Sequence, residues 1–434
     1  MQVQIASAGP YAALMALDWD RPLAQWDDRR LVRMARGPST HLVRFVELAG
    51  RVFALKELPD HLARREYLVL RGMAEAGLPV VEAVATVTGR QAAGGRPLPG
   101  VFVTRYLDFA LPYTYLLARE NSAEHQRRLI DAAAVLLVEL HLEGFFWGDC
   151  SLANTLFRRD AGSLAAYLVD SETAEHHPTL SDRQRETDLE IAVVNVAGGV
   201  ADLQAAGRVP KSTDPYDFGM RVDNRYRVLW AELTKEEEFG ADQVWQLEER
   251  VARLNRLGFD VSELSVRSGA GGSRIRIRPS VVEEGHHARR LQRLTGMAVQ
   301  ENQARRLLND LASYRAALER QEGRPLGEAV AAHRWLTEKF EPFVSAIPAE
   351  MAARLEPAEA YHQYLDHRWF LSEAARRRVP DEVARPSFFA EVLGRRPEER
   401  VVLPDITGEM EVSALQDADE PGEAVAGDAC DPIN

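Results

Sequence analysis

Residues 147–154 read Trp-Gly-Asp-Cys-Ser-Leu-Ala-Asn and join two well-patterned segments of the chain. Before them, residues 125–143 have the apolar spacing of an amphipathic helix, which Gly144 ends. After them, residues 155–170 predict a β-hairpin that turns near residues 160–163. Asp149 and Asn154 therefore lie at a junction between a long helix and a hairpin, where polar side chains can gather.

The hairpin predicts a polar cluster at its open end. Antiparallel pairing about Gly162 brings Asn154, before the first strand, and Asp170, after the second, to the same end of the ribbon. Such an oxygen pair suits a hard cation such as Mg²⁺, and Asp149 beside it is placed to position or deprotonate a hydroxyl group. The alternative is that Asp149 caps a turn and Asp170 ends a buried strand.

Upstream of this region, short strands are predicted at 31–34, 41–48 and 51–58, followed by a helix at 62–76. Lys56 ends an apolar strand segment, Phe-Ala-Leu-Lys. It is one of only four lysines in a chain with 53 Lys and Arg residues, and an ammonium and a guanidinium are not equivalent at a phosphate.

Glu66 falls on the apolar stripe of the predicted helix, where a carboxylate is costly unless it is paired. We expect Lys56 to be its partner. The alternatives are an edge lysine and a glutamate at the border of the stripe that reaches water.

Composition excludes several classes of protein. The net charge of −13 argues against nucleic-acid binding, which needs a basic surface. Two cysteines and no basic N-terminal signal predict a cytoplasmic protein. The longest apolar run is too short to span a bilayer.

The second half of the chain has a different character. From about residue 210 it predicts long, charged, amphipathic helices at 226–257, 287–320, 326–340 and 349–378, with a hairpin at 259–282. Their Arg-rich faces are either solvated surface or a site for a protein partner. We expect the acidic residues 405–434 to be disordered.

The motif residues resemble the protein-kinase-like superfamily and are most similar to its lipopolysaccharide-kinase and RIO-like branch. The resemblance covers residues 30–205. Residues 210–400 resemble the domain of unknown function that follows lipopolysaccharide-kinase-like domains in bacteria, and Tyr-His-Gln-Tyr-Leu-Asp-His-Arg-Trp at 361–369 is typical of it. The residues that carry the kinase resemblance, in chain order, are Lys56, Glu66, Asp149, Asn154 and Asp170.

The resemblance implies an α+β fold with two kinase-like lobes and an additional, mainly helical C-terminal domain. The implied divisions are an N-terminal segment (1–29), an N-lobe (30–108), a C-lobe (109–209), the helical domain (210–404) and a tail (405–434).

The implied function is transfer of a phosphoryl group from ATP, with Mg²⁺, to a hydroxyl group of a sugar, glycolipid or protein. Lys56 would contact the phosphates, Glu66 would orient Lys56, and Asp149 would be the catalytic base. Asn154 and Asp170 would bind the metal ion. The implied nucleotide-binding residues are Lys56, Gly37, Ser39 and Thr40.

Three departures from the kinase pattern keep other functions open. Trp147-Gly148 stands in place of His-Arg, residues 169–172 (Val-Asp-Ser-Glu) stand in place of Asp-Phe-Gly, and no Gly-x-Gly-x-x-Gly lies between the first strands. A nucleotide-binding pseudokinase and a non-catalytic interaction protein acting through the C-terminal helices are the alternatives. Asp188 is either a support for the catalytic loop or an acid favoured by a helix dipole.

Overall fold

The fold is α+β, with two kinase-like lobes followed by a helical domain, as predicted. It is seen in a computed structural model that describes residues 1–5, 10–26, 30–32, 41–119, 122–234, 237–240, 274–277 and 285–400.

The N-lobe is a six-stranded antiparallel sheet with one helix, α1 (Asp60–Glu75), against one face. Successive residues of a strand point to opposite faces, so Phe102 packs with α1 whereas Val101 and Val103 pack in a second core behind the sheet. In spatial order the strands are β1 (Gln2–Ile5), β5 (Ala83–Thr88), β8 (Gly100–Arg105), β4 (Arg51–Leu58), β3 (Leu42–Leu48) and β2 (Leu31–Val32); the ribbon β6 (Arg90–Gln91) and β7 (Pro97–Leu98) lies beside them.

The N-terminal segment is built into this lobe. Strand β1 pairs with β5 at the edge of the sheet, and Trp19, Leu23 and Trp26 pack in the core behind it. Arg90 is buried and donates hydrogen bonds to the carbonyl oxygens of Trp19 and Arg21. The sequence analysis set residues 1–29 apart as an N-terminal segment, whereas these contacts join their described residues to the N-lobe.

The C-lobe is formed by four helices and a set of short strands. The N-cap Ser122 accepts a hydrogen bond from the His125 backbone N–H, and Gly144, with φ of +78°, follows the end of α3, as the sequence predicted. The helices are α2 (Tyr113–Arg119), α3 (Ala123–Leu142), α4 (Asp182–Ala205) and α5 (Pro215–Thr234); the strands are β9 (Leu111–Pro112), β10 (Phe145–Phe146), β11 (Thr155–Asp160), β12 (Ser163–Leu168) and β13 (Glu175–His176).

Helix α5 corrects the predicted helix at 226–257. It begins eleven residues earlier, where Asp214 accepts hydrogen bonds from the backbone N–H groups of Tyr216 and Asp217. It ends at Thr234, and β14 (Glu237–Gly240) then pairs with β15 (Arg274–Ile277). The rest of the predicted hairpin at 259–282 lies outside the described residues.

The apolar face of α5 packs in the same core as α3 and α4, although α5 follows the predicted domain boundary at residue 209. We therefore propose that the C-lobe ends after α5.

The C-terminal domain is a helical bundle around Trp335, Phe343, Tyr361 and Phe388. The single helix predicted at 287–320 is divided at Gly296, which has φ of +78°. Within the described residues, no helix combines the length and apolar content needed to cross a membrane. The helices are α6 (His286–Thr295), α7 (Glu301–Glu322), α8 (Glu328–Trp335, continued by a π-helical turn), α9 (Glu341–Ser345), α10 (Pro357–Ala375) and α11 (Asp381–Glu391).

Candidate active site

Lys56 lies on β4 and contacts side chains of both lobes. Its Nζ is 3.2 Å and 3.3 Å from the two carboxylate oxygens of Glu66 and 2.8 Å from Oδ2 of Asp170. Burial lowers the pKa of Lys56, but the charges of Glu66 and Asp170 outweigh burial, so the net pKa is raised. The ammonium therefore stays charged and connects the N-lobe helix to the hairpin of the C-lobe.

Glu66 is 1% exposed and faces inward from α1, as its position on the apolar stripe predicted. Burial raises its pKa most, the Asp170 carboxylate raises it as well and Lys56 lowers it, which leaves the pKa at about 8. The contact with Lys56 is buried, and Lys56 is the group that favours the ionised form of Glu66. Removal of either residue leaves the other without this partner.

Glu172 joins the same cluster from the segment after the hairpin. Its Oε2 is 3.3 Å from Lys56 Nζ and 3.0 Å from His41 Nε2. Because His41 precedes β3 in the N-lobe, this carboxylate connects both lobes. The three predicted nucleotide-binding residues that precede His41 lie outside the described residues; they are Gly37, Ser39 and Thr40.

Asp149 is held by two side-chain amides. Asn154 donates from Nδ2 to Oδ2 of Asp149, and Asn195 of α4 donates to Oδ1, both at 2.9 Å. Burial raises the pKa of Asp149, with Asp170 and Glu172 adding to the effect and the two amides opposing it. The carboxylate is therefore fixed in orientation and shifted toward the proton affinity of a base.

Asp188 supports the loop that carries Asp149. Its carboxylate is buried and accepts hydrogen bonds from the backbone N–H groups of Trp147, at 2.6 Å, and Gly148, at 2.7 Å. His141 Nε2 lies 3.1 Å from the same carboxylate, and Nδ1 is 2.8 Å from the Tyr226 hydroxyl. Burial lowers the pKa of His141, so the imidazole is kept neutral within this network. Of the two roles left open for Asp188, these contacts favour support of the loop.

Cys150, next to Asp149, is buried, and burial together with the charges of Asp188 and Asp149 raises its pKa well above the usual value. A thiol held in this state is a poor nucleophile.

The hairpin turns at residues 160–163, as predicted, with its axis half a residue before Gly162. Asp160 pairs with Ser163, and both Ala161 and Gly162 have positive φ, at +48° and +87°, as in a two-residue type I′ turn. Thr155 therefore pairs with Leu168, and the backbone N–H of Val169 donates to the Asn154 carbonyl oxygen at 3.0 Å.

Asn154 and Asp170 still lie at the same end of the ribbon, although Asp170 is one residue beyond the pair. The carboxylates that converge closely enough to hold a metal ion are those of Glu66, Asp170 and Glu172, whose oxygens lie within 4.8 Å of one another.

The residues of this cluster fit a divalent hard cation. Three carboxylates surround one ammonium, which leaves the group with two excess negative charges if all are ionised. Oxygen-rich, negatively charged sites of this kind suit Mg²⁺ together with phosphate oxygens. The predicted metal ligand Asn154 donates a hydrogen bond from its amide nitrogen to Asp149. Its amide oxygen is therefore the atom available to a metal ion.

Two residues of the site were missed by the sequence analysis. Asn195 lies on a helix far along the chain from Asp149, and a single polar residue on an amphipathic helix carries no local signal. In the sequence, Glu172 is only one residue of the segment that stands in place of Asp-Phe-Gly. Its spacing of two from Asp170 was a usable sign, because side chains two residues apart can face the same cluster.

The fold and these contacts are those of a kinase-like domain. Residues 46–193 match the model of the lipopolysaccharide kinase (Kdo/WaaP) family, and residues 228–393 match the model of a domain of unknown function, DUF4032. Both parts of the resemblance predicted from the sequence are thereby confirmed.

Among solved structures, the chain is similar to one described as WaaP in complex with acyl carrier protein. The identity is 18%, the match covers 59% of this chain and 99% of that chain, and the TM-score is 0.35. No curated protein matches the chain.

Proposed function

We propose that this protein transfers the γ-phosphoryl group of ATP, with Mg²⁺, to a hydroxyl group of a sugar, glycolipid or protein acceptor. The observation that carries the proposal is the position of Lys56 Nζ, within 3.3 Å of Glu66 and of Asp170. Phosphoryl transfer in kinase-like folds needs both a lysine–glutamate pair and a metal-binding aspartate in place, and Lys56 contacts the candidates for both.

The charge of the site supports the need for a metal ion. A nucleoside triphosphate would approach the carboxylates of Glu66, Asp170 and Glu172. The single ammonium of Lys56 does not balance the charge of these carboxylates when all are ionised. At separations near 4 Å, like charges repel by about 4 kcal/mol at an effective dielectric constant of 20. When bound, Mg²⁺ would offset this repulsion and shield the phosphate charge, held by Asp170, Asn154 and Glu172.

Each residue of the site has a defined role in this proposal. Lys56 binds phosphate oxygens, and Glu66 orients its ammonium. Asp149 accepts the proton of the acceptor hydroxyl group. The hydroxyl oxygen bonds to the γ-phosphorus, the bond between the γ-phosphorus and the β–γ bridging oxygen breaks, and ADP leaves. Asn195 keeps Asp149 oriented from the side opposite Asn154. The predicted nucleotide-binding role of Gly37, Ser39 and Thr40 stays a prediction, as does the cytoplasmic location.

A thermal-shift titration tests the nucleotide site. Mg-ATP at 100 times its dissociation constant should stabilise the protein by about 2.7 kcal/mol, and Asp170→Ala should remove the shift. Asp182→Ala is the matched control, because this aspartate is 93% exposed at the start of α4. No shift in the wild type would contradict nucleotide binding and leave an interaction protein acting through the C-terminal helices.

A transfer assay then separates an enzyme from a pseudokinase. Wild-type protein should move label from γ-labelled ATP into an acceptor in a cell lysate, and Asp149→Ala should not. Nucleotide binding without any transfer would instead support the pseudokinase.

A further inference from the structure

The tip of the hairpin β11–β12 packs against the C-terminal domain. Asp160, the last residue of β11, is 4% exposed and lies at the first turn of α7. Its Oδ1 accepts a hydrogen bond from the Gln303 backbone N–H at 2.8 Å. Its Oδ2 accepts from the backbone N–H and the Nδ2 of Asn302, at 3.2 Å and 2.9 Å. One carboxylate of the C-lobe thus satisfies N–H groups that the helix itself leaves unpaired.

The backbone of the turn is held as well. Ala161 donates its N–H to Oε2 of Glu359 at 3.0 Å, and Gln303 Nε2 donates to the Arg159 carbonyl oxygen at 2.9 Å and to Glu359 at 3.1 Å. Gln303 and Glu359 are both buried. Because Ala161 has a positive φ, which costs an L-residue of this type about 1–2 kcal/mol, the C-terminal domain stabilises a turn that the hairpin would adopt less readily alone.

Two ion pairs hold the strand on both of its faces. Neighbouring side chains of a strand point in opposite directions; Arg158 binds Glu356, whereas Arg159 makes two hydrogen bonds of 2.8 Å to Glu399. The end of β11 is therefore restrained against rotation as well as against withdrawal.

In the described part of the chain, neighbouring strands restrain the base of the ribbon but not its tip. Strand β9 pairs with β11 at Leu156 and Phe157, and Val80 forms a bridge with Leu168. Within the described residues, the half of the ribbon near the tip has no further strand neighbour. Two-stranded ribbons are marginally stable alone, yet this ribbon carries Asn154 at one end and Asp160 at the other, roughly 20 Å apart at 3.3 Å per residue.

We propose that the C-terminal domain clamps the tip of β11–β12 and thereby fixes the position of Asn154 and Asp170 at its base. This gives the domain a role in the reaction: Asp160, Gln303 and Glu359 are positioning residues that act through the hairpin. The part that concerns the metal–nucleotide site rests on the proposed function; the mechanical part does not.

Matched substitutions test the mechanical part. Asp160→Asn puts an amide N–H against the donors of α7. Asp310→Asn removes a carboxylate that accepts from Trp335 Nε1 and the Tyr361 hydroxyl inside the same domain, away from the hairpin. Hydrogen exchange is measured at the Val169 amide, which closes the base of the ribbon.

We expect Asp160→Asn to speed exchange at Val169 about 10-fold, the factor that corresponds to one lost hydrogen bond to a charged group. Asp310→Asn should leave exchange there unchanged. Faster exchange at the tip alone, or an equal increase at Val169 in both variants, would overturn the clamp.

Binding of Mn²⁺ with ADP, measured by titration calorimetry, tests the link to the active site. Asp160→Asn should weaken binding about 10-fold, by the same single-bond reasoning, while Asp310→Asn matches the wild type. Equal affinity in all three proteins would overturn the positioning role. If the wild type does not bind Mn²⁺–ADP, the proposed function fails, and the exchange at Val169 still decides whether the clamp exists.

Glu359→Gln is the second variant in case Asp160→Asn does not fold. It keeps the size of the side chain but places an amide among the N–H donors of Ala161, Gln303 and Gln363. The same increase in exchange at Val169 is expected, and its absence would count against the proposal.

Discussion

The hairpin β11–β12 has a group of acidic side chains at each end, and the two groups differ in what neutralises them. At the base, Asp170 and Glu172 share one ammonium, that of Lys56. At the tip, Asp160 and Glu359 accept hydrogen bonds from backbone and amide N–H groups. The base has more carboxylates than cationic partners, and Asp170 and Glu172 are partly exposed. The two tip carboxylates, of Asp160 and Glu359, are buried and hydrogen-bonded.

This difference indicates that the base of the hairpin is suited to bind a ligand and that its tip is suited to connect two domains. A cluster with unbalanced charge gains from a cation or a phosphate ligand, while a buried carboxylate that is fully hydrogen-bonded has little left to offer a ligand.

The largest effect is expected at the base. Asp149→Asn keeps the size and the contact distance of the side chain but cannot accept a proton, so phosphoryl transfer should fall by about 10²–10⁴-fold. Mg-ATP binding, measured by thermal shift, should be retained. Transfer within tenfold of the wild-type rate would show that Asp149 is not the catalytic base.

The next largest effect is expected for Asp188, which supports the loop that carries Asp149. Asp188→Ala leaves the buried N–H groups of Trp147 and Gly148 without their acceptor, and each such loss costs about 1–3 kcal/mol. We expect the free energy of unfolding to fall by about 2–6 kcal/mol, measured by urea denaturation. Asp182→Ala, in the exposed first turn of the same helix, removes one surface ion pair and one first-turn charge and should change it by no more than about 1 kcal/mol.

Much of the base could be predicted from the sequence because its signals are local. The apolar stripe of α1 required a partner for Glu66, and the alternation of β11 and β12 required a turn near Gly162. The register was displaced by half a residue because the sequence gives no sign that Ala161, and not only a glycine, takes a positive φ.

The tip could not be predicted, because its partners are distant in sequence. Ala161 and Glu359 are 198 residues apart, and Asp160 and Gln303 are 143 apart. Nothing in the hairpin itself distinguishes an aspartate that caps a remote helix from one that faces water. Asn195 was missed for the same reason: its partner Asp149 lies on a loop 46 residues earlier.

The pH dependence of the tip should be smaller than the effect of Asp188→Ala. Burial raises the pKa of Asp160 from 3.8 to about 6, the hydrogen bonds from Gln303 and Asn302 oppose the shift, and the charge of Glu359 adds to it. The folded protein thus binds this proton more tightly than the unfolded chain does. The resulting stability is complete below pH 3.8 and is lost as the pH rises through about 6.

One pH unit below the folded pKa, at pH 5, Asp160 should contribute about 1.4 kcal/mol that is absent at pH 8. The free energy of unfolding of the wild type and of Asp160→Asn, compared at both pH values, isolates this term. A pH response identical in the two proteins would mean that Asp160 is ionised in the docked state.

The smallest effect is expected for a second carboxylate on the helix that carries Glu66. Glu75 pairs with Arg71 one turn earlier, and its side chain is 68% exposed. Exposed pairs at this spacing contribute about 0.3–0.5 kcal/mol, and a negative charge in the last turn of a helix opposes the helix dipole. Glu75→Gln should therefore change the free energy of unfolding by less than about 0.5 kcal/mol and leave phosphoryl transfer unchanged.

Glu66→Gln, the same substitution two and a half turns earlier on α1, should instead reduce transfer, because it removes the charge that orients Lys56. Measured side by side, the two variants hold the helix and the chemical change constant and differ in burial and in the partner. If both reduced transfer equally, the function of Glu66 would be that of any acid on α1, and the distinction between a binding site with excess charge and a satisfied surface pair would not hold.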